Sequence, residues 1–103
     1  MQNKATASIK QIAAGELSLS GSLNFMSVVA LQAEGETLIT QQGTDECVID
    51  LSAVTESSSV GVALLTVWLR FAQSHHKTLR YSHLPKAMLD MVQLSGLDHL
   101  LLA

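Results

Sequence analysis

With 103 residues the chain has room for one domain, 1–103, built on one modest core. Hydrophobic residues at 48% against 15% charged exclude a disordered chain. A net charge of −3 without a basic block leaves nucleic-acid binding no footing, and a lone cysteine, Cys47, excludes an internal disulfide framework.

The first twenty residues lack the apolar core of a signal peptide, and no run approaches the ~20 apolar residues of a membrane span. These features predict a cytoplasmic protein without direct membrane insertion. Ile9 and Ile12 precede Gly15, and Leu17, Leu19 and Leu23 follow it at even spacing. Period-two spacing predicts a strand pair with its turn at Ala14-Gly15. Asn24 is suited to cap a helix in which Val28, Leu31, Gly35, Leu38 and Ile39 share one face. Gly35 within it reads either as a close approach to the sheet or as a weak point. "QGTDE" ends the helix.

Cys47 to Val54 is short, β-branched and almost wholly apolar, which predicts a buried central strand. Asp50 inside it needs a donor, and backbone amides of a nearby loop are the expected source. A second helix is predicted from Ser58 to His75, with Gly61, Leu64, Leu65, Trp68 and Ala72 inward and Arg70, Gln73 and Ser74 on the polar side. Leu79 and Tyr81 alternate as a strand. Pro85 opens a third helix with Met88, Leu89, Val92 and Leu94 as its buried stripe, Gly96 ends it, and "LDHLLLA" forms a last apolar turn. The order is β-β-α-β-α-β-α, an α/β fold whose second βαβ unit has parallel strands and a right-handed crossover.

No catalytic constellation emerges. His75, His76, His83 and His99 lack zinc spacing, and Glu34, Glu36, Asp45 and Glu46 do not pair as acid and base. Cys47 has no neighbour in sequence to lower its pKa. No cofactor, metal site or enzymatic activity is expected. What stands out is "TESSSVGVALLTVWL", residues 55 to 69, in which three serines stand before an apolar helix. Three readings are open: Ser57 or Ser58 caps the helix, the serines form a partner surface, or one of them is a phosphate switch at the positive end of a helix dipole.

The stretch "VIDLSAVTESSSVGVALL" resembles the centre of a STAS domain: an apolar strand ending in "DLS", a short loop, then an acidic-Ser/Thr signature opening a helix. Anti-sigma-factor antagonists carry Asp-Ser-Ser-Gly-Leu-Gly there, against which this chain reads Glu56, Ser57, Ser58, Ser59, Val60 and Gly61. Glu replaces the acid, Ser59 replaces the first Gly, and the signature hydroxyl falls on Ser57. The pieces "ALLTVWLR", "LP" and "SGLDHLL" further resemble the MlaB-like branch.

The resemblance implies a STAS-type mixed sheet with packed helices. It also implies a non-enzymatic accessory subunit that binds the cytoplasmic, MlaF-like ATPase of an ABC transporter for intermembrane phospholipid trafficking, and through that ATPase the membrane permease. The chain is then peripheral to the inner membrane, and its apolar surface is compatible with a homodimer in isolation. Glu56, Ser57, Ser58, Ser59 and Gly61 are the expected partner-binding or regulatory residues. The alternative is an anti-sigma-factor antagonist switched by phosphorylation of Ser57. Trp68 belongs to the docking face only if its ring is exposed.

Overall fold

A computed structural model describes residues 7–97. The order is β1 (Ala7–Ala13), β2 (Glu16–Leu23), α1 (Phe25–Gln41), β3 (Glu46–Ser57), α2 (Ser59–Ser74), β4 (Thr78–Ser82) and α3 (Lys86–Leu94). It is the order the periodicity predicts. The final "DHLLLA" lies outside the described residues.

The four strands pair in sequence order. β1 and β2 form an antiparallel hairpin about Gly15, whose φ of +73° suits a residue without a Cβ. β2, β3 and β4 run parallel. Each parallel step needs a crossover, supplied by α1 and α2. Right-handed crossovers between successive neighbours place both helices on the same face of the sheet, and α1 packs directly against α2. α3 then packs against α2. Because each helix runs back from a parallel strand, the N-termini of α1 and α2 lie side by side at one end.

Strand alternation makes the core. Ile9, Leu17, Leu19, Cys47, Ile49, Leu51, Leu79 and Tyr81 are buried, while Ser8, Lys10, Asp50 and Arg80 are exposed or half-buried. From the helices come Leu31, Ile39, Leu64, Leu65, Trp68, Met88 and Val92. Burial pushes the Cys47 thiol up, opposed by Lys77, and burial followed by the nearby Cys47 pushes Tyr81 well above 10.0. The Tyr81 hydroxyl donates to Leu65 O at 2.7 Å, so no buried polar atom is wasted there.

Two sequence expectations change, those for Gly35 and Leu94, and the conditional one for Trp68 is decided. Gly35 makes its close approach to α2, not to the sheet: a Cβ at that position would collide with Cε2, Cζ2 and Nε1 of the Trp68 indole. Trp68 is fully buried, and its Nε1 donates to Gln32 O at 3.1 Å. It is therefore a core residue, and its ring cannot dock a partner. Leu94, expected in the buried stripe of α3, is 88% exposed, because Ser95 caps the helix C-terminus one residue later and the chain turns through Gly96 at φ +73°. Leu97 N closes that turn on Val92 O.

Candidate functional site

β3 is longer than its apolar pattern. Past Leu51 it continues through Ser57 by two register shifts against β2, one between Ser18 and Ser20 and one between Gly21 and Ser22. Each shift places extra β3 residues opposite β2, the signature of a bulge. At the first, Ser52 N donates to Asp50 Oδ1 at 2.9 Å, and the Ser52 hydroxyl donates to Oδ2 at 3.1 Å. His83 Nδ1 reaches Oδ1 at 3.1 Å. The Ser52 backbone amide, helped by the Ser52 hydroxyl and His83, holds the Asp50 carboxyl below its usual 3.8. The carboxylate so takes up an amide that regular pairing would have used. Beyond the bulges, Glu56 sits opposite Ser22 and Ser57 opposite Leu23.

The expected loop before α2 is therefore mostly strand. Ser57 is the last strand residue and is half-buried, with its hydroxyl donating to Ser58 O at 2.9 Å. Ser58 is the N-cap in an extended conformation, φ −91° and ψ −178°. Its N–H donates to Leu23 O at 3.0 Å, and its carbonyl accepts from Gly61 N at 2.9 Å. Its side chain makes no capping bond, nor does that of Ser57, so neither serine fills the role the capping reading assigned. Ser59 is the first helical residue and is exposed. It lies in ordinary helical conformation, so serine in place of the signature glycine brings no left-handed strain.

Gly61 is buried under this turn. A Cβ there would collide with Ser57 Oγ and come within 3.1 Å of Leu23 Cβ. The missing side chain lets the first turn of α2 sit on the ends of β2 and β3. Glu56 Oε1 accepts from Ser22 Oγ at 3.1 Å, and Asn24 Nδ2 donates to the same Ser22 oxygen at 3.4 Å. Ser22, Leu23, Asn24, Glu56, Ser57 and Ser58 line a shallow hollow of about 290 Å³ between the two helix starts. Ser59 faces a different, apolar hollow of about 320 Å³ between α2 and α3. All five expected site residues thus gather at one end of the molecule, but the outward hydroxyls are those of Ser58 and Ser59.

Sequence reasoning missed the apolar residues beside them. Phe25, Met26 and Val29 are exposed on the first turns of α1. The available signal was an α1 whose opening residues are apolar around its circumference, outside the stripe that ends in Leu31, Gly35 and Ile39. Among the described residues, His75 caps the C-terminus of α2, its ring packed 4.3 Å from that of Phe71, and His83 pairs with Asp50, both away from the site, while His99 lies outside the described residues. Among the described residues no group of three His, Cys, Asp or Glu side chains is placed to hold a metal. Nor is any helix among them long and apolar enough to cross a membrane.

A strand carrying a serine-rich end into a helix, on a four-stranded mixed sheet covered by helices, is the architecture of a STAS domain. The family model described as the MlaB STAS domain matches residues 9–103, and the chain belongs to that family. Among solved structures, it is similar to a chain of the Acinetobacter MlaFEDB complex in an ATP-bound conformation. That similarity has 26% identity and a TM-score of 0.75, and covers 89% of this chain and 96% of the other. An anti-sigma factor antagonist from Mycobacterium paratuberculosis has the same fold at 22% identity and a TM-score of 0.72, covering 93% and 81% of the two chains. The antagonist SpoIIAA in its unphosphorylated form does so at 17% and 0.71, covering 90% and 83%. No curated protein matches the sequence. STAS proteins of these kinds are in general accessory or regulatory rather than catalytic.

Proposed function

We propose that this chain is the non-enzymatic accessory subunit of an ABC transporter that moves phospholipids between membranes, bound to the transporter's cytoplasmic MlaF-like ATPase and through it to the permease. The observation that carries the reading is the likeness to a chain of the MlaFEDB complex, which spans nearly all of that chain. The family match supports it over the same length. Glu56, Ser57, Ser58, Ser59 and Gly61 form the contact region in this reading. Ser58 and Ser59 present the hydroxyls, Glu56 supplies a carboxylate, and Gly61 together with the tucked Ser57 fixes the turn.

The second reading is an anti-sigma-factor antagonist switched at Ser57. It draws on likeness of fold to proteins below 25% identity. The Ser57 hydroxyl is engaged with Ser58 O at 2.9 Å, and the signature acid and first glycine are replaced by Glu56 and Ser59. Affinity purification of the tagged chain from its native host, with mass spectrometry of what accompanies it, separates the two. An ABC ATPase with its permease supports the transporter reading. An anti-sigma kinase without the ATPase sinks it.

A further inference from the structure

Val62, Ala63, Met91, Leu94 and Leu97 line the hollow of about 320 Å³ between α2 and α3, together with Ser59 and Ser95. No charged side chain is among them. Leu94 stands 88% exposed, while the buried residues of its helix are Met88 and Val92. Contiguous apolar surface of this kind marks a contact.

The chain itself leads into this hollow. After the cap at Ser95, Gly96 at φ +73° reverses the backbone, and Leu97 N donates to Val92 O at 3.0 Å. Leu97 is the last described residue and is itself part of the wall. The sequence runs on with Asp98, His99, Leu100, Leu101, Leu102 and Ala103. Its two polar residues come first and its three leucines follow. Six residues reach at most about 20 Å. Ser59 to Ala63, the α2 side of the hollow, takes up only about 6 Å. The leucines therefore have the reach to cross it. A segment tethered this closely has an effective concentration in the millimolar range, which a separate protein must exceed to take its place. The apolar lining matches leucine and offers a charged occupant no partner.

We infer that the chain's own residues 100–102 seat in the α2/α3 hollow as a strap, with their leucine side chains against Val62, Met91 and Leu94. The seated strap closes the hollow to other proteins. It lies beside Ser59 at the start of α2, so a partner that contacts Ser59 meets the strap as well. The inference goes beyond the transporter reading and stands whichever partner the chain serves.

Disulfide trapping in the full chain tests it. Cys47 is fully buried and serves as an internal thiol that reacts only if the fold opens. Ser59→Cys is paired in turn with Leu100→Cys, Leu101→Cys and Leu102→Cys. The control pairs Leu101→Cys with Gln73→Cys, which is exposed and about 21 Å further along α2. A disulfide needs Cα atoms within about 7 Å of each other. In a glutathione buffer at least one Ser59→Cys pair is expected to close within a single chain to ten times the extent of the control, read by non-reducing gel and mass spectrometry. In the Ser59→Cys chain, adding Leu101→Asp and Leu102→Asp is expected to raise maleimide labelling at position 59 at least threefold while Cys47 stays unlabelled. If no Ser59→Cys pair closes above the control, or labelling at position 59 does not change, the strap assignment is wrong. If bonds form only between chains and in proportion to concentration, the hollow seats a second copy and the strap is again ruled out.

Discussion

The two helix starts that lie side by side at one end of the molecule use the same residue types and reach opposite results. At α1, Asn24 Oδ1 accepts from Met26 N at 2.9 Å and Ser27 N at 3.1 Å, while Ser27 Oγ accepts from Asn24 N at 3.0 Å. Polar side chains are consumed there in closing the helix. At α2, Ser58 stands at the same N-cap position and its side chain makes no capping bond. Backbone bonds fix that turn, through Leu23 O, Ser58 and Gly61 N, with the Ser57 hydroxyl on Ser58 O beside them, and glycine at 61 gives it space. A capped start spends its hydroxyls on stability. An uncapped one leaves hydroxyls and first-turn amides for something else.

The largest effect should come from taking away that space. Gly61→Ala forces a Cβ against Ser57 Oγ and Leu23, and overpacking of this kind costs about 1–3 kcal/mol. Urea denaturation should show it as a lower midpoint at unchanged slope. Adding Ser57→Ala removes the oxygen in the way, so the double variant should recover part of the loss. Strictly additive losses would mean that Ser57 and Gly61 are not coupled. At the other start, Asn24→Ala should cost about 1 kcal/mol by loss of the cap, and the same denaturation series measures it.

The smaller effect at the β3 bulge has a sign that follows from charge. Asp50 is held below 3.8 first by the Ser52 amide and then by the Ser52 hydroxyl and His83. An unfolded carboxyl takes up its proton first as pH falls, so Asp50 stabilises the fold above about pH 3.8 and ceases to as pH drops through its lower folded value. Asp50→Asn should therefore shrink the fall in stability between pH 6 and pH 3. An undiminished fall would mean that the bulge holds without the charge.

Much of this was legible in the sequence because it depends on period. Even spacing around Gly15, the stripe from Gly61 to Ala72 and the β-branched run from Cys47 each have one way to bury their apolar atoms, and each element formed where its pattern put it. The stretch of three serines was legible as a polar helix start but not as geometry. β3 outlasts its apolar pattern because bulges carry a polar segment along β2, and a bulge leaves no period to read. The inward turn of Ser57 depends on Gly61, four residues on, and no local rule separates it from Ser58 or Ser59. Trp68 was ambiguous because an aromatic at helical spacing serves core or interface equally, and only the gap left by Gly35 on α1 decided between them.

The smallest effect on stability tests the comparison most directly. Ser58→Ala and Ser59→Ala remove hydroxyls that cap nothing, so each should shift the denaturation midpoint by no more than about 0.5 kcal/mol, as surface substitutions do. Asn24→Ala, one helix away, shares the residue class and should not be so mild. If the serines are kept for a partner, the same two variants should weaken recovery of the ATPase while melting like the wild-type chain, and the Ser58,Ser59 double variant should weaken it further. If instead each serine costs about 1 kcal/mol and recovery is untouched, the two starts are alike after all, and the hydroxyls of α2 belong to the helix.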